Sequence, residues 1–62
     1  ESVSKYIQNE LIVRAKRQLV YTPRNIREIA FDLGFDDYAY FTRLFTKIAG
    51  MNPTSYRKKY LE

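Results

Sequence analysis

The side chains able to do chemistry in this sequence are cationic and phenolic. Eleven residues are Lys or Arg and six are Tyr, while His and Cys are absent. That excludes Cys/His zinc sites, thiol nucleophiles, disulfides and an imidazole base. Asp36-Asp37 imitates a general acid/base pair, but neighbouring carboxylates ahead of a helix are far more often caps. No glycine-rich phosphate loop accompanies them. The chain is therefore read as non-enzymatic, with no metal and no cofactor. Eleven cations against seven carboxylates leave a net charge of +4 and a pI near 9.6. A basic small domain points to a polyanionic partner, most simply nucleic acid. The excess sits at the ends. Residues 1–22 carry Lys5, Arg14, Lys16 and Arg17 against Glu1 and Glu10, and residues 51–62 carry Arg57, Lys58 and Lys59 against Glu62. Residues 23–50 are neutral, with Arg24, Arg27, Arg43 and Lys47 against Glu28, Asp32, Asp36 and Asp37.

The elements that must position these groups are helical. Sixty-two residues allow one domain at most, and a domain this small buries only ~60% of its unfolded surface. Ten Tyr and Phe rings must supply much of its core. No apolar run nears the ~18 residues of a membrane span, and no signal-peptide pattern opens the chain, so the expectation is soluble and intracellular. A first helix is expected from about Ser2 to Tyr21, with Val3, Ile7, Leu11, Ala15 and Leu19 on one face. Tyr6, Ile12, Val13 and Val20 widen that face, which asks for more than one neighbour. Lys16 and Arg17 fall in its C-terminal part, where cations suit the helix dipole. Thr22-Pro23 ends it. A second helix, about Ile26 to Leu33, starts with Asn25 and Glu28 spaced as a capping box and stops at Gly34. A third, about Tyr38 to Ala49, is capped by Asp37 and carries Phe41, Leu44, Phe45 and Ile48 on one face. A fourth, about Pro53 to Tyr60, follows Asn52 as cap.

The second and third helices meet at Gly34-Phe35-Asp36. A joint of a few residues opening with glycine sends the next helix off at a steep angle, the pattern of a helix-turn-helix. Ala30 lets the helices cross closely, and Phe35 plugs the joint from below. A plain helical hairpin with a glycine turn fits the same residues about as well.

A wider pattern adds to this. The chain reads Ile-Arg-Glu-Ile-Ala from Ile26, then Gly34-Phe35-Asp36-Asp37, Tyr40-Phe41-Thr42-Arg43, Phe45, Gly50-Met51-Asn52-Pro53 and Tyr56-Arg57. This closely resembles the C-terminal signature of AraC/XylS-type bacterial transcription regulators, I-x-E-I-A, G-F-x-D, S-Y-F-S-R-x-F-K, G-x-x-P, Y-R. Residues 2–22 resemble that family's linker helix through Tyr6-Ile7, Arg14-Ala15-Lys16, Leu19-Val20 and Thr22. Two positions depart. Leu11 replaces a usual arginine and is read as packing. Thr46 stands where lysine is frequent, which shifts a phosphate contact to Lys47 or weakens it.

The resemblance implies an all-α fold: a long linker helix over 1–22, then a three-helix, homeodomain-like helix-turn-helix subdomain over 23–62. It implies sequence-specific binding of double-stranded DNA in a bacterial cytoplasm, with the helix of about residues 38–48 in the major groove. With Phe41, Phe45 and Ile48 facing the core, the base-reading candidates are Tyr38, Ala39, Thr42 and Arg43. Arg43 leads, because its planar fork can pair bidentately with guanine. The backbone candidates are Asn25 and Arg27 at a helix N-terminus, with Thr46, Lys47 and Arg57. The family's DNA-binding unit has two such subdomains joined by the linker helix, so this chain is expected to be its second half and a fragment. The implied partners are the missing first helix-turn-helix, the effector domain and RNA polymerase. The rival reading is a small helical protein-interaction or dimerisation module without DNA readout. Its motivation is the neutral middle segment and the broad apolar surface of residues 3–20, which a second copy would cover.

Overall fold

The computed structural model describes residues 3–61, with side chains from Tyr6 to Tyr60. The chain order is α1 (Val3–Tyr21), α2 (Ile26–Asp32), α3 (Tyr38–Ala49) and α4 (Pro53–Leu61), with no strand among the described residues. The expected start at Ser2 lies outside them, as does the side chain of Val3.

Each helix begins and ends where its residues require. The Asn25 side chain accepts the N–H of Glu28 at 2.8 Å, while the Glu28 carboxylate accepts the N–H of Asn25 at 3.1 Å. That reciprocal pair is the capping box read from the sequence. The helix stops one residue before the expected Leu33, which already has ψ near 0. Gly34 follows at φ +96, donating to the Phe31 carbonyl, while Phe35 donates to the Ala30 carbonyl. These two bonds form a Schellman closure, and the left-handed residue between them is the one a glycine adopts at least cost. Asp37 caps α3 by accepting the Ala39 N–H at 2.9 Å. Asn52 caps α4 by accepting the Ser55 N–H at 2.8 Å, with Pro53 in the first turn. α4 runs one residue past the expected Tyr60.

The core draws on all four segments of the helical cluster. Ile12, Ala15 and Leu19 of α1 meet Ile29 and Ala30 of α2, Phe35 of the joint, and Phe41, Leu44 and Phe45 of α3. Leu11, Ile26, Leu33, Tyr38, Ala49 and Tyr56 close the rim. Phe35, Phe41, Phe45, Tyr56 and Tyr60 form a run of rings with centroids 4.5 to 5.9 Å apart. Their tilted and edge-on geometries are the favourable ones for aromatic pairs.

Two expectations about burial need correction. On α1 the buried stripe is Ile12, Ala15 and Leu19, while Ile7 is 49% and Val13 41% exposed. α1 is much longer than the elements packed on it, so its N-terminal turns project past the core and leave Ile7 uncovered. Ile12, read as merely widening the face, is at its centre. On α3, Ile48 shares the angular face of Leu44 and Phe45, yet it is 36% exposed while they are buried. Ile48 lies in the last turn, at the margin of the core, where Ala49 is the residue that packs against it.

The C-terminal end of α1 is also held differently from the reading given to Lys16 and Arg17. Its last turn carries no cation. The cation comes from α4: Arg57 donates from Nε to the Leu19 carbonyl at 2.9 Å and from Nη2 to the Thr22 carbonyl at 3.1 Å. A cation placed against carbonyls with no helical acceptor role left serves the helix terminus and the α1–α4 packing together.

Candidate nucleic-acid interface

The residues expected to read bases lie on α3, and the fold turns most of that helix's polar side outward. Phe41, Leu44 and Phe45 are buried on one side. On the other side Ala39, Arg43, Thr46 and Lys47 are exposed, and Thr42 is half-buried. The alternation follows from helical geometry, because residues 39, 43, 46 and 47 recur at three- and four-residue steps. Neither Asp36 nor Asp37 pairs with Arg43. The one ion pair among the described residues is Arg24 with Asp32, at 3.1 Å. Arg43 and Lys47 therefore present their charge to solvent, which is the condition a phosphate or a guanine edge requires.

The two threonines are less available than their types suggest. Thr42 Oγ1 donates to the Tyr38 carbonyl at 3.0 Å, and Thr46 Oγ1 donates to the Thr42 carbonyl at 2.8 Å. Each hydroxyl proton is thus spent within the helix. What remains is an accepting oxygen and a methyl group. A phosphate oxygen needs a donor, and in this geometry the Thr46 hydroxyl proton is on the Thr42 carbonyl. A methyl group suits contact with a thymine methyl.

Tyr38 and Arg27, drawn from separate base and backbone groups, come together. The Arg27 guanidinium lies 4.7 Å from the centroid of the Tyr38 ring. This cation–π contact joins the first turn of α2 to the first turn of α3. Asn25 spends its carbonyl oxygen and its N–H on the capping box, which leaves the N–H groups of Ile26 and Arg27 without a partner in the helix. Arg57 is apart from this face. It is half-buried and spent on the α1 carbonyls.

Sequence reading missed how α1 supports the other flank of α3. Gln8 donates from Nε2 to the Tyr40 hydroxyl at 3.1 Å, across 32 residues. The Tyr40 ring also lies 6.0 Å from Phe35. Gln8, Tyr40, Arg43, Leu44 and Lys47 surround a hollow of about 370 Å3 beside the exposed face. No periodicity in the chain could reveal a contact between helices so far apart. Arg24 was likewise not singled out. Its Nη1 donates both to Gln18 Oε1 and to Asp32 Oδ2, tying α1 to α2.

Among the described residues no cluster of His, Cys, Asp and Glu is placed to hold a metal ion, and no helix is long and apolar enough to cross a membrane. The arrangement is a scaffold of packed rings that presents one helix, tipped with cations, to the outside.

Comparison with known proteins agrees with that geometry. A family described as a helix-turn-helix domain matches residues 1–59. The chain is 37% identical over 60 residues to the HTH-type transcriptional activator RhaR of Yersinia pseudotuberculosis, covering 97% of this chain and 21% of that protein. The RhaR activator of Yersinia pestis gives the same figures. That of Salmonella arizonae is 34% identical over 56 residues, covering 90% of this chain and 20% of the relative. The chain thus spans about a fifth of the length of these relatives. No solved structure matches it.

Proposed function

The chain belongs to the AraC-type helix-turn-helix family of DNA-binding transcription regulators, and from that premise we propose that it reads a specific duplex sequence by laying α3 in the major groove. The observation that carries this reading is the exposed face of α3, where Ala39, Thr42 and Arg43 lie beside an unpaired Lys47 and opposite the buried Phe41 and Phe45. Arg43 is the principal base reader, pairing bidentately with guanine O6 and N7. Ala39 and the methyl of Thr42 suit thymine methyl groups. Tyr38, braced by Arg27, lies at the edge of the face where it meets sugar or a base edge. Lys47 and Arg27 supply phosphate contacts, with the free N–H groups of the first turn of α2 beside Asn25. Lys47 takes the place that a lysine at position 46 would hold. Arg57 contributes by holding α4 to α1. The family points to a non-enzymatic role.

In this reading residues 1–22 are the linker helix and 23–62 the second helix-turn-helix subdomain of a longer regulator. The first subdomain and an effector domain are then its neighbours in the same protein, and RNA polymerase is a further partner.

Titration into a labelled mixed-sequence duplex at ~50 and ~200 mM salt tests the electrostatic part, because counterion release makes phosphate-driven binding fall steeply over that range. Selection from a random duplex pool then defines the site. On that site Arg43→Ala loses about 1–3 kcal/mol and relaxes preference at one base pair, while Lys47→Ala weakens all sequences alike. A uniform loss for Arg43→Ala removes it from the reading role. Binding absent at the lower salt, in a sample whose melt shows a folded protein, overturns the DNA reading.

A second reading has its own observation: Tyr6, Ile7 and Val13 on α1 are 69%, 49% and 41% exposed. This apolar surface fits self-association through residues 3–20. Sedimentation showing monomer alone at high concentration excludes it.

A further inference from the structure

A groove of about 340 Å3 runs between the C-terminal half of α1 and α4, lined by Lys16, Arg17, Val20, Tyr21, Tyr56 and Tyr60. No residue of α2 or α3 lines it, so it is separate from the DNA face. Its rings are presented rather than buried: Tyr21 is 82% and Tyr60 51% exposed. Tyr60 lies against Tyr56 with centroids 4.5 Å apart and the rings tilted by 42°, which leaves a continuous aromatic wall. Cations sit against that wall, Lys16 Nζ at 5.8 Å from the Tyr56 centroid and Lys59 Nζ at 5.4 Å from that of Tyr60.

Among the described residues, the charges on the two segments that line the groove are of one sign. Residues 11–21 carry Arg14, Lys16 and Arg17 and no carboxylate. Residues 50–61 carry Arg57, Lys58 and Lys59 and again no carboxylate. Of these, Arg57 is spent on backbone carbonyls. The ion pair of Arg24 with Asp32 joins α2 to the segment before it and involves none of them. A groove flanked by cations attracts an anionic occupant.

The shape discriminates between anions. Duplex DNA satisfies the cations, but it keeps its base faces stacked and offers the tyrosine rings nothing. An acidic peptide satisfies both features. One apolar side chain fills the ring-lined hollow as an anchor, and flanking carboxylates meet the cations on the rim. We infer that the α1–α4 groove docks an acidic segment of a partner protein, with an aromatic or aliphatic side chain between the tyrosine rings and its neighbouring carboxylates on Lys16, Arg17 and Lys59.

The probe is a synthetic peptide of Asp and Glu around a single central Phe, titrated into the isotopically labelled 62-residue protein and followed by NMR. Shift changes are expected at residues 16–21 and 56–60. Arg17→Glu and Lys59→Glu, both at exposed positions, are each expected to weaken binding about tenfold. The same peptide with Gly in place of Phe is expected to bind several times more weakly. Equal binding by the Gly peptide, or shifts gathered on α3, reduces the effect to net charge and overturns the proposal. So does unchanged affinity in both charge-reversal variants. Tighter binding of single-stranded oligothymidylate in the same groove identifies a nucleic-acid stacking platform instead. The mapping on the unaltered protein stands whether or not either variant folds.

Discussion

The Arg57 guanidinium answers two acceptors at once, the carbonyls of Leu19 and Thr22 at the end of α1. Arginine is suited to this because its donors are fixed in one plane, while a lysine has a single compact ammonium. Arg57→Ala leaves two half-buried carbonyls without their cation and is expected to destabilise the protein by about 2–3 kcal/mol in urea unfolding. Arg57→Lys is expected to recover less than half of that loss, and full recovery would show that charge alone matters there. Arg43 poses the same contrast on the exposed face of α3, where it is proposed to fork onto a guanine. Arg43→Lys keeps the charge and loses the fork. Its affinity for unrelated duplexes and its salt slope are expected to stay near those of the unaltered protein, while the ratio of specific to unrelated affinity falls about tenfold. A preserved ratio would mean that Arg43 contacts phosphate.

At the scale of elements, the joint between α2 and α3 decides how α3, the helix proposed to read DNA, is presented. Gly34 holds φ +96, and a Cβ built there meets nothing within 4 Å. The cost of a side chain is therefore backbone strain alone, and Gly34→Ala is expected to lower stability by about 1–3 kcal/mol in a denaturant melt. A neutral result would mean that the turn can relax to another conformation. The joint was legible in the sequence because every signal in it is local: Asn25 with Glu28, Gly34 with Phe35, and Asp37 before Tyr38 each act over three residues or fewer. The outward face of α3 was legible for the same reason, since helical periodicity places Ala39, Arg43 and Lys47 opposite Phe41 and Phe45. What escaped depends on where an element ends relative to its neighbours. Ile7 has the right angular position and the wrong height, and Ile48 lies at the margin of the core, where Ala49 packs in its stead. The Gln8 contact with Tyr40 and the Arg57 contacts with α1 span more than thirty residues, and no local pattern encodes them. The contact of Arg27 with the Tyr38 ring and the bond from Thr46 to the Thr42 carbonyl were equally out of view, because both depend on side-chain placement rather than on residue type.

For the molecule as a whole, the run of rings from Phe35 to Tyr60 ties the core to the surface, and among the described residues Tyr56 is the ionisable group that its surroundings perturb. Burial raises the Tyr56 phenol above its ordinary value near 10, and the neighbouring Tyr60 and Tyr21 add to the rise by repelling its phenolate. The folded state thus keeps this proton at a pH where the unfolded chain has released it. Stability from this group is fully present below the unfolded value of about 10 and is lost as pH climbs through the higher folded value. A domain this small has little reserve, so the loss is visible in the melting temperature. Tyr56→Phe keeps the ring between Phe45 and Tyr60 and removes the proton. Between pH of about 9 and about 11 the unaltered protein is expected to lose melting temperature more steeply than Tyr56→Phe, while the two differ little near pH 7. Parallel curves would mean that the Tyr56 proton does not carry the alkaline loss. A steeper curve for the unaltered protein would tie the alkaline loss to the Tyr56 proton, carried on the ring that also walls the groove between α1 and α4.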